Sequence, residues 1–150
     1  MKTELSLEDL QQRALTIGDR IPYLKLLVLF GSRARGDAYD RSDWDFAYLC
    51  DEDARKVAIA DRDYGLLEVH NAIEDCFAIG GEYMDVVDVK RCSAMIAHYV
   101  ARDSLLLYER NLGIFEQFAK QSLMSELKLK ALQRSLREKV ETSLRRRGYA

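Results

Sequence analysis

The apolar positions along this chain change period several times, and each change marks an element. Leu7, Leu10, Ala14 and Ile17 recur at helical spacing behind Ser6, with Asp9 three residues after the serine in the manner of a capping box. This predicts a helix over 7–17 that Gly18 stops, and the only proline, Pro22, falls in the connector that follows. The run Lys25-Leu26-Leu27-Val28-Leu29-Phe30 is short, apolar and bounded by Gly31, which fits a buried strand better than a helix. The polar stretch 32–42 reads as loop, or as a helix start plus loop, and Trp44-Asp45-Phe46-Ala47-Tyr48-Leu49-Cys50 as a second strand.

Residues 51–77 look helical, with Val57, Ile59, Leu66, Leu67, Val69, Ile73 and Phe77 on mainly apolar faces, weakened in the middle by Gly65 and stopped by Gly80-Gly81. The β-branched segment 82–89 predicts a third strand. A helix follows over 92–101, and 105–108 is a short strand or a helix end. Beyond Gly113 no glycine or proline occurs until Gly148, and Leu123, Leu127, Leu129, Leu132 and Leu136 predict one long amphipathic helix. Strands alternating with helices give an α/β (α+β) class, organised as a body, 1–112, and a C-terminal helical extension, 113–150.

Composition refines this picture without redirecting it. At 150 residues, 48% apolar and 32% charged, the chain fits a single globular domain. No apolar run approaches the ~18 residues of a membrane span, and the acidic, block-free opening over 1–9 does not read as a signal peptide. Cys50, Cys76 and Cys92 are odd in number and widely spaced, so reduced thiols in a cytoplasmic protein are expected rather than a disulfide framework or a zinc site. Charge is uneven: 120–147 holds nine Lys/Arg against three Glu, while 1–119 holds fourteen Lys/Arg against twenty-two Asp/Glu. An acidic body argues against general nucleic-acid binding, and the basic segment is a contact for RNA, a contact for an acidic partner, or a solvated end.

Candidate chemistry gathers around the first two strands. Gly31 permits a sharp turn and close approach of backbone to a ligand, Ser32 adds a hydroxyl and an N–H, and Arg33 and Arg35 add positive charge, which together suit a phosphate. In Asp43-Trp44-Asp45 the two carboxylates point to the same strand face, about 6–7 Å apart at Cα, a spacing suited to one hard cation. A carboxylate entering the apolar strand at Asp45 is costly unless paired or metal-bound. The third strand carries Asp85 and Asp88, three apart and therefore on opposite faces, and the pattern of apolar residues does not choose between them.

The segments Leu29-Phe30-Gly31-Ser32-Arg33-Ala34-Arg35-Gly36, Ser42-Asp43-Trp44-Asp45-Phe46 and Met84-Asp85-Val86-Val87-Asp88, continued through Leu105-Leu106-Leu107-Tyr108-Glu109, resemble the DNA polymerase β type nucleotidyltransferase superfamily, and most of all the minimal nucleotidyltransferases. The resemblance spans about 26–109. It implies a mixed β-sheet flanked by helices, with Asp43, Asp45 and Asp85 as catalytic and metal-binding residues around two Mg2+ ions. It also implies that Gly31, Ser32, Arg33 and Arg35 bind the nucleotide. Asp85 is favoured over Asp88 on family pattern alone. The absence of GxxxxGK[ST] excludes a P-loop enzyme.

Small members of this family are similar to the antitoxins of HEPN–MNT toxin–antitoxin pairs. That likeness implies AMP transfer from ATP to a tyrosine of a HEPN ribonuclease toxin, in a hetero-oligomer with that partner, with the C-terminal helix as docking surface or as cover for the sheet. Two alternatives stand beside it: neutralisation of the partner by contact without catalysis, and nucleotidyl transfer to an aminoglycoside, for which the chain has little room. Arg91 and His98 match the loose spacing of the HEPN ribonuclease motif itself, but the pair lies inside the nucleotidyltransferase-like stretch, and His98 reads as a helix-face histidine with a local partner.

Overall fold

The structure is a computed structural model and describes residues 5–148; the first four residues of the opening segment and the last two of the extension lie outside the described residues. Helix α1 (Leu7–Ala14) starts as predicted. Ser6 Oγ accepts from the Asp9 N–H at 3.1 Å, while the Asp9 carboxylate accepts from the Ser6 N–H at 3.0 Å, so two otherwise unpaired donors are satisfied reciprocally. The helix ends earlier than the predicted 17, and Gly18 lies within a short second helix, α2 (Ile17–Arg20). Its glycine has a packing reason rather than a stopping one: a Cβ there would lie 2.2 Å from the Tyr108 hydroxyl oxygen.

Four strands form one sheet in the order β3-β2-β1-β4: β1 (Leu24–Phe30), β2 (Trp44–Cys50), β3 (Met84–Asp88) and β4 (Leu105–Glu109). β1 runs antiparallel to both β2 and β4, and β2 runs parallel to β3, so the sheet is mixed. The parallel pair needs a crossover. α4 (Glu52–Ile59) and α5 (Glu68–Phe77) supply it, with short α3 (Ser32–Arg35) in the β1–β2 connection. The single helix expected over 51–77 is thus two. The connector folds back so closely that a Cβ on Gly65 would sit 2.6 Å from Ile59 Cβ, and Tyr64 turns the chain with φ +61°. The uncertain 105–108 segment is a strand, paired to β1.

Alternation along β1 and β2 divides the apolar side chains between two layers. On one face Leu24, Leu27, Leu29 and Phe46 pack with Leu10, Ala14, Val69, Ile73 and Phe77, and the rings of Phe46 and Phe77 stack at 5.0 Å. On the other, Leu26, Val28 and Ala47 meet Val100 and Ala101 of α6 (Ala94–Asp103) and Phe118 of α7 (Ile114–Ser122).

The predicted continuous C-terminal helix is broken. Past α7, the Met124 N–H donates to His98 Nδ1 at 3.0 Å, and Ser125 Oγ caps a new helix, α8 (Glu126–Arg146), by accepting from the Lys128 N–H at 3.2 Å. The segment after Gly113 therefore has two parts: α7 covers the sheet, and α8 extends from it. His98 is buried and takes its partner from a distant segment, and Arg91 pairs with Asp88 instead. No helix among the described residues is long and apolar enough to cross a membrane.

Candidate active site

The site lies where β1 ends and β2 begins, on the sheet face shared with α6 and α7. Gly31 leaves β1 with φ +75° and ψ −158°, a conformation that L side chains rarely adopt, and its carbonyl accepts from the Ala34 and Arg35 N–H groups. A Cβ at this position would fall 2.1 Å from Asp45 Oδ2. The glycine therefore keeps a backbone edge open directly beside a carboxylate. Gly36, at φ +85°, closes the single turn of α3.

Both arginines of this turn are engaged. Arg33 does not project freely toward a phosphate. Its Nε and Nη2 donate to the Ser42 carbonyl at 3.1 and 2.8 Å, and its guanidinium lies over the Trp44 ring, 4.1 Å from the centroid. It thus clamps the residues on either side of Asp43. Ser42 is itself held by a 3.0 Å bond from the Tyr39 N–H to its Oγ. Arg35 is more exposed. Its Nε bonds Asp37 at 3.2 Å, and its Nη1 stands 3.7 Å from Asp103 at the end of α6. Asp103 is in turn gripped by Arg102 at 2.8 Å through both carboxylate oxygens, which holds its carboxyl below the ordinary range. Arg35 also acts on the site, as the cation that opposes the anionic field at Asp45.

Asp43 is exposed just before β2, and Asp45 is half-buried within it. In the β2–β3 register Asp45 stands directly opposite Asp85. Burial first, then the charges of Asp85 and Asp43, push the Asp45 carboxyl above the ordinary carboxylate range. The three acids named from the sequence are therefore brought into one electrostatic group, joined by Gly31 and Arg35.

Asp88 is excluded from that group. Its carboxylate bonds Arg55 at 3.0 Å and the Lys90 N–H at 3.0 Å, and it also meets Arg91. Arg55, almost wholly buried, was not legible as a partner, because nothing in Glu52-Asp53-Ala54-Arg55 marks a buried cation. Asp103 was likewise missed: only the tertiary fold brings it to Arg35.

The chemistry of these residues fits a divalent cation. Hard oxygen donors share one face, and their mutual repulsion is the kind a cation relieves. No group of three or more His, Cys, Asp or Glu side chains among the described residues is gathered tightly enough to grip an ion as it stands.

The family pattern of "Polymerase beta, Nucleotidyltransferase" matches residues 15–112, which takes in Gly31, all three acids and β4. This chain belongs to the polymerase β nucleotidyltransferase family. Members of the family use a divalent metal ion. The chain is 36% identical over 143 residues, 95% of each protein, to the protein adenylyltransferase MntA of Aphanizomenon flos-aquae (strain 2012/KM1/D3).

The solved structures that share its fold include two of toxin–antitoxin proteins. One is a toxin–antitoxin with AMP-PNP, at TM-score 0.53 and 23% identity, covering 87% of this chain and 98% of the other. The second is a tri-AMPylated Shewanella oneidensis HEPN toxin in complex with MNT antitoxin, at TM-score 0.57 and 21% identity, covering 91% and 99%. At these identities the likeness is one of fold. The mixed sheet with flanking helices is the nucleotidyltransferase fold that the sequence motifs implied.

Proposed function

We infer that this chain is a cytoplasmic antitoxin that transfers AMP from ATP to a tyrosine hydroxyl of a cognate HEPN ribonuclease toxin and so silences it. One observation supports the reading: Asp45, packed against Gly31, stands opposite Asp85 in register and feels the charges of Asp85 and Asp43, in a chain that aligns along 95% of its length with a protein adenylyltransferase.

In the reaction the tyrosine oxygen attacks the α-phosphorus, the bond from phosphorus to the bridging oxygen breaks, and pyrophosphate departs. Asp43, Asp45 and Asp85 would hold Mg2+, two ions in all, which when bound offset negative charge on the attacking and leaving oxygens. Gly31 and Ser32 admit the triphosphate close to the backbone. Arg35, beside the carboxylates, contributes positive charge at the same place. Arg33 supports the site by fixing the Ser42 carbonyl and the Trp44 ring, which sets the position of Asp43 between them. Asp85, exposed on β3, is available to accept the proton that the tyrosine hydroxyl loses.

The test is direct. The protein is incubated with Mg2+ and ATP labelled at the α-phosphate, with and without the HEPN partner, and label on the partner is followed. Transfer by the wild-type chain and none by Asp43→Asn supports the reading. Partner neutralisation that survives Asp43→Asn without any label would replace it with a contact mechanism.

A further inference from the structure

We propose that two copies of this chain associate by seating α8 of one on the acidic connector between α4 and α5 of the other. Two unpartnered surfaces lead to this pairing. The first is the outer half of α8. Leu136, Val140 and Leu144 follow one another at intervals of four, so they share a face, and they are 42%, 58% and 42% exposed. The start of the same stripe, at Leu129 and Leu132, is half-buried, and Gln133 Nε2 bonds the Tyr99 hydroxyl at 3.2 Å. The stripe thus leaves the body and continues into solvent. Among the described residues, the flanking Arg137, Lys139 and Arg146 make no ion pair; on this helix only Lys130 does, with Glu126.

The second surface is the connector. Tyr64, Leu66 and Leu67 are 84%, 61% and 51% exposed, and the neighbouring Asp61 and Asp63 make no ion pair among the described residues. The close Gly65–Ile59 contact fixes this segment on the end of α4 and presents its apolar side chains outward. Exposed apolar clusters of this kind mark association sites.

Charge selects the occupant. Pairing α8 with α8 would bring together two surfaces of net positive charge, and pairing connector with connector two of net negative charge. Net charge favours the crossed arrangement: between Leu136 and Arg146 the helix carries Arg137, Lys139, Arg145 and Arg146 against Glu138 and Glu141, while the connector carries Asp61 and Asp63 around an Arg62 that is already paired with Glu68. The contact cannot form within one chain. The connector leads into α5, which lies against one face of the sheet, whereas α8 departs from Tyr99 of α6 on the opposite face. A two-fold axis would form the contact twice, doubling the buried area.

Sedimentation of the full chain at micromolar concentrations tests this. The wild type should sediment as a dimer that salt weakens. Leu136→Glu with Val140→Glu, and separately Tyr64→Ser with Leu66→Ser, should each weaken self-association roughly tenfold or more. Both sets lie on exposed positions, and circular dichroism verifies that each variant is folded. Mixing the two variants should restore a heterodimer, because each retains the surface the other lacks. A second pair, Asp61→Lys with Asp63→Lys against Lys139→Glu with Arg146→Glu, should behave likewise. A wild type that stays monomeric overturns the proposal, including the case in which α8 variants lose capture of a HEPN partner, since the stripe then serves that protein. Connector variants that remain dimeric also overturn it.

Discussion

Gly31 and Asp45 are packed against each other: a single methyl on the glycine would meet the Asp45 carboxylate at 2.1 Å. Gly31→Ala must therefore shift either the turn or the carboxylate, and it also forces a side chain into φ +75°. A displacement on the ångström scale at a catalytic group lowers rate by about 100-fold, and backbone strain costs about 1–3 kcal/mol. The expected outcome is a folded protein with a lower melting temperature and a turnover reduced by about two orders of magnitude, measured by label transfer and thermal denaturation on the same preparation.

Neutralising Asp45 should separate stability from activity. Its ionised form is disfavoured by burial and by Asp85 and Asp43. In the presence of a chelator, Asp45→Asn should therefore melt at or above the wild-type temperature while transferring no nucleotide. Added Mg2+ should raise the melting temperature of the wild type and leave that of the variant in place. A variant that melts well below wild type in chelator would contradict this account of the site.

Asp88 should respond in the opposite way. Its carboxylate is largely enclosed with Arg55, so truncating the arginine leaves a largely buried charge with only the exposed Arg91 and the Lys90 N–H to offset it. Arg55→Ala should cost about 3–5 kcal/mol in denaturant unfolding. The double variant Arg55→Met with Asp88→Asn should recover much of that loss, because it removes both charges together.

Arg33→Lys distinguishes a clamp from a phosphate ligand. Lysine keeps the charge but loses the two-pronged bond to the Ser42 carbonyl and much of the stacking on Trp44. Turnover should fall, with little change in the KM for ATP, and the 37–42 loop should become easier to cleave by protease. A change confined to KM would return Arg33 to the triphosphate.

Cys50 provides a chemical check on the core. Burial pushes its thiol up to about 12, so alkylation of the native protein at neutral pH should proceed at the rate of global unfolding. Rapid labelling of Cys50 in native buffer would mean that the β2 end of the sheet opens locally.

The parts of this structure legible in the sequence are those fixed by neighbours along the chain. β1 and β2 stand out as apolar runs beside glycine and aspartate, and the Ser6–Asp9 box is a local reciprocal bond. The pairing of Asp85 rather than Asp88 with Asp45 depends on a parallel register and on Arg55, neither of which leaves a local trace. The same applies to the breaks in the two long helical segments. One turns on Gly65 against Ile59 and the other on a bond from Met124 to His98, so each is decided by a contact between segments rather than by propensity. Arg33 and Arg35 look alike in sequence, and only their partners assign one to the loop and the other to the carboxylates.

β3 has a strand neighbour on one side alone, and Asp85 sits on it, exposed. The carboxylate proposed to take the proton consequently lies at the rim of the sheet. A residue on the surface of a folded macromolecule can be brought to such a rim without unfolding or threading. On the proposed function, selectivity for such an acceptor would come from the contacts that bring the two proteins together.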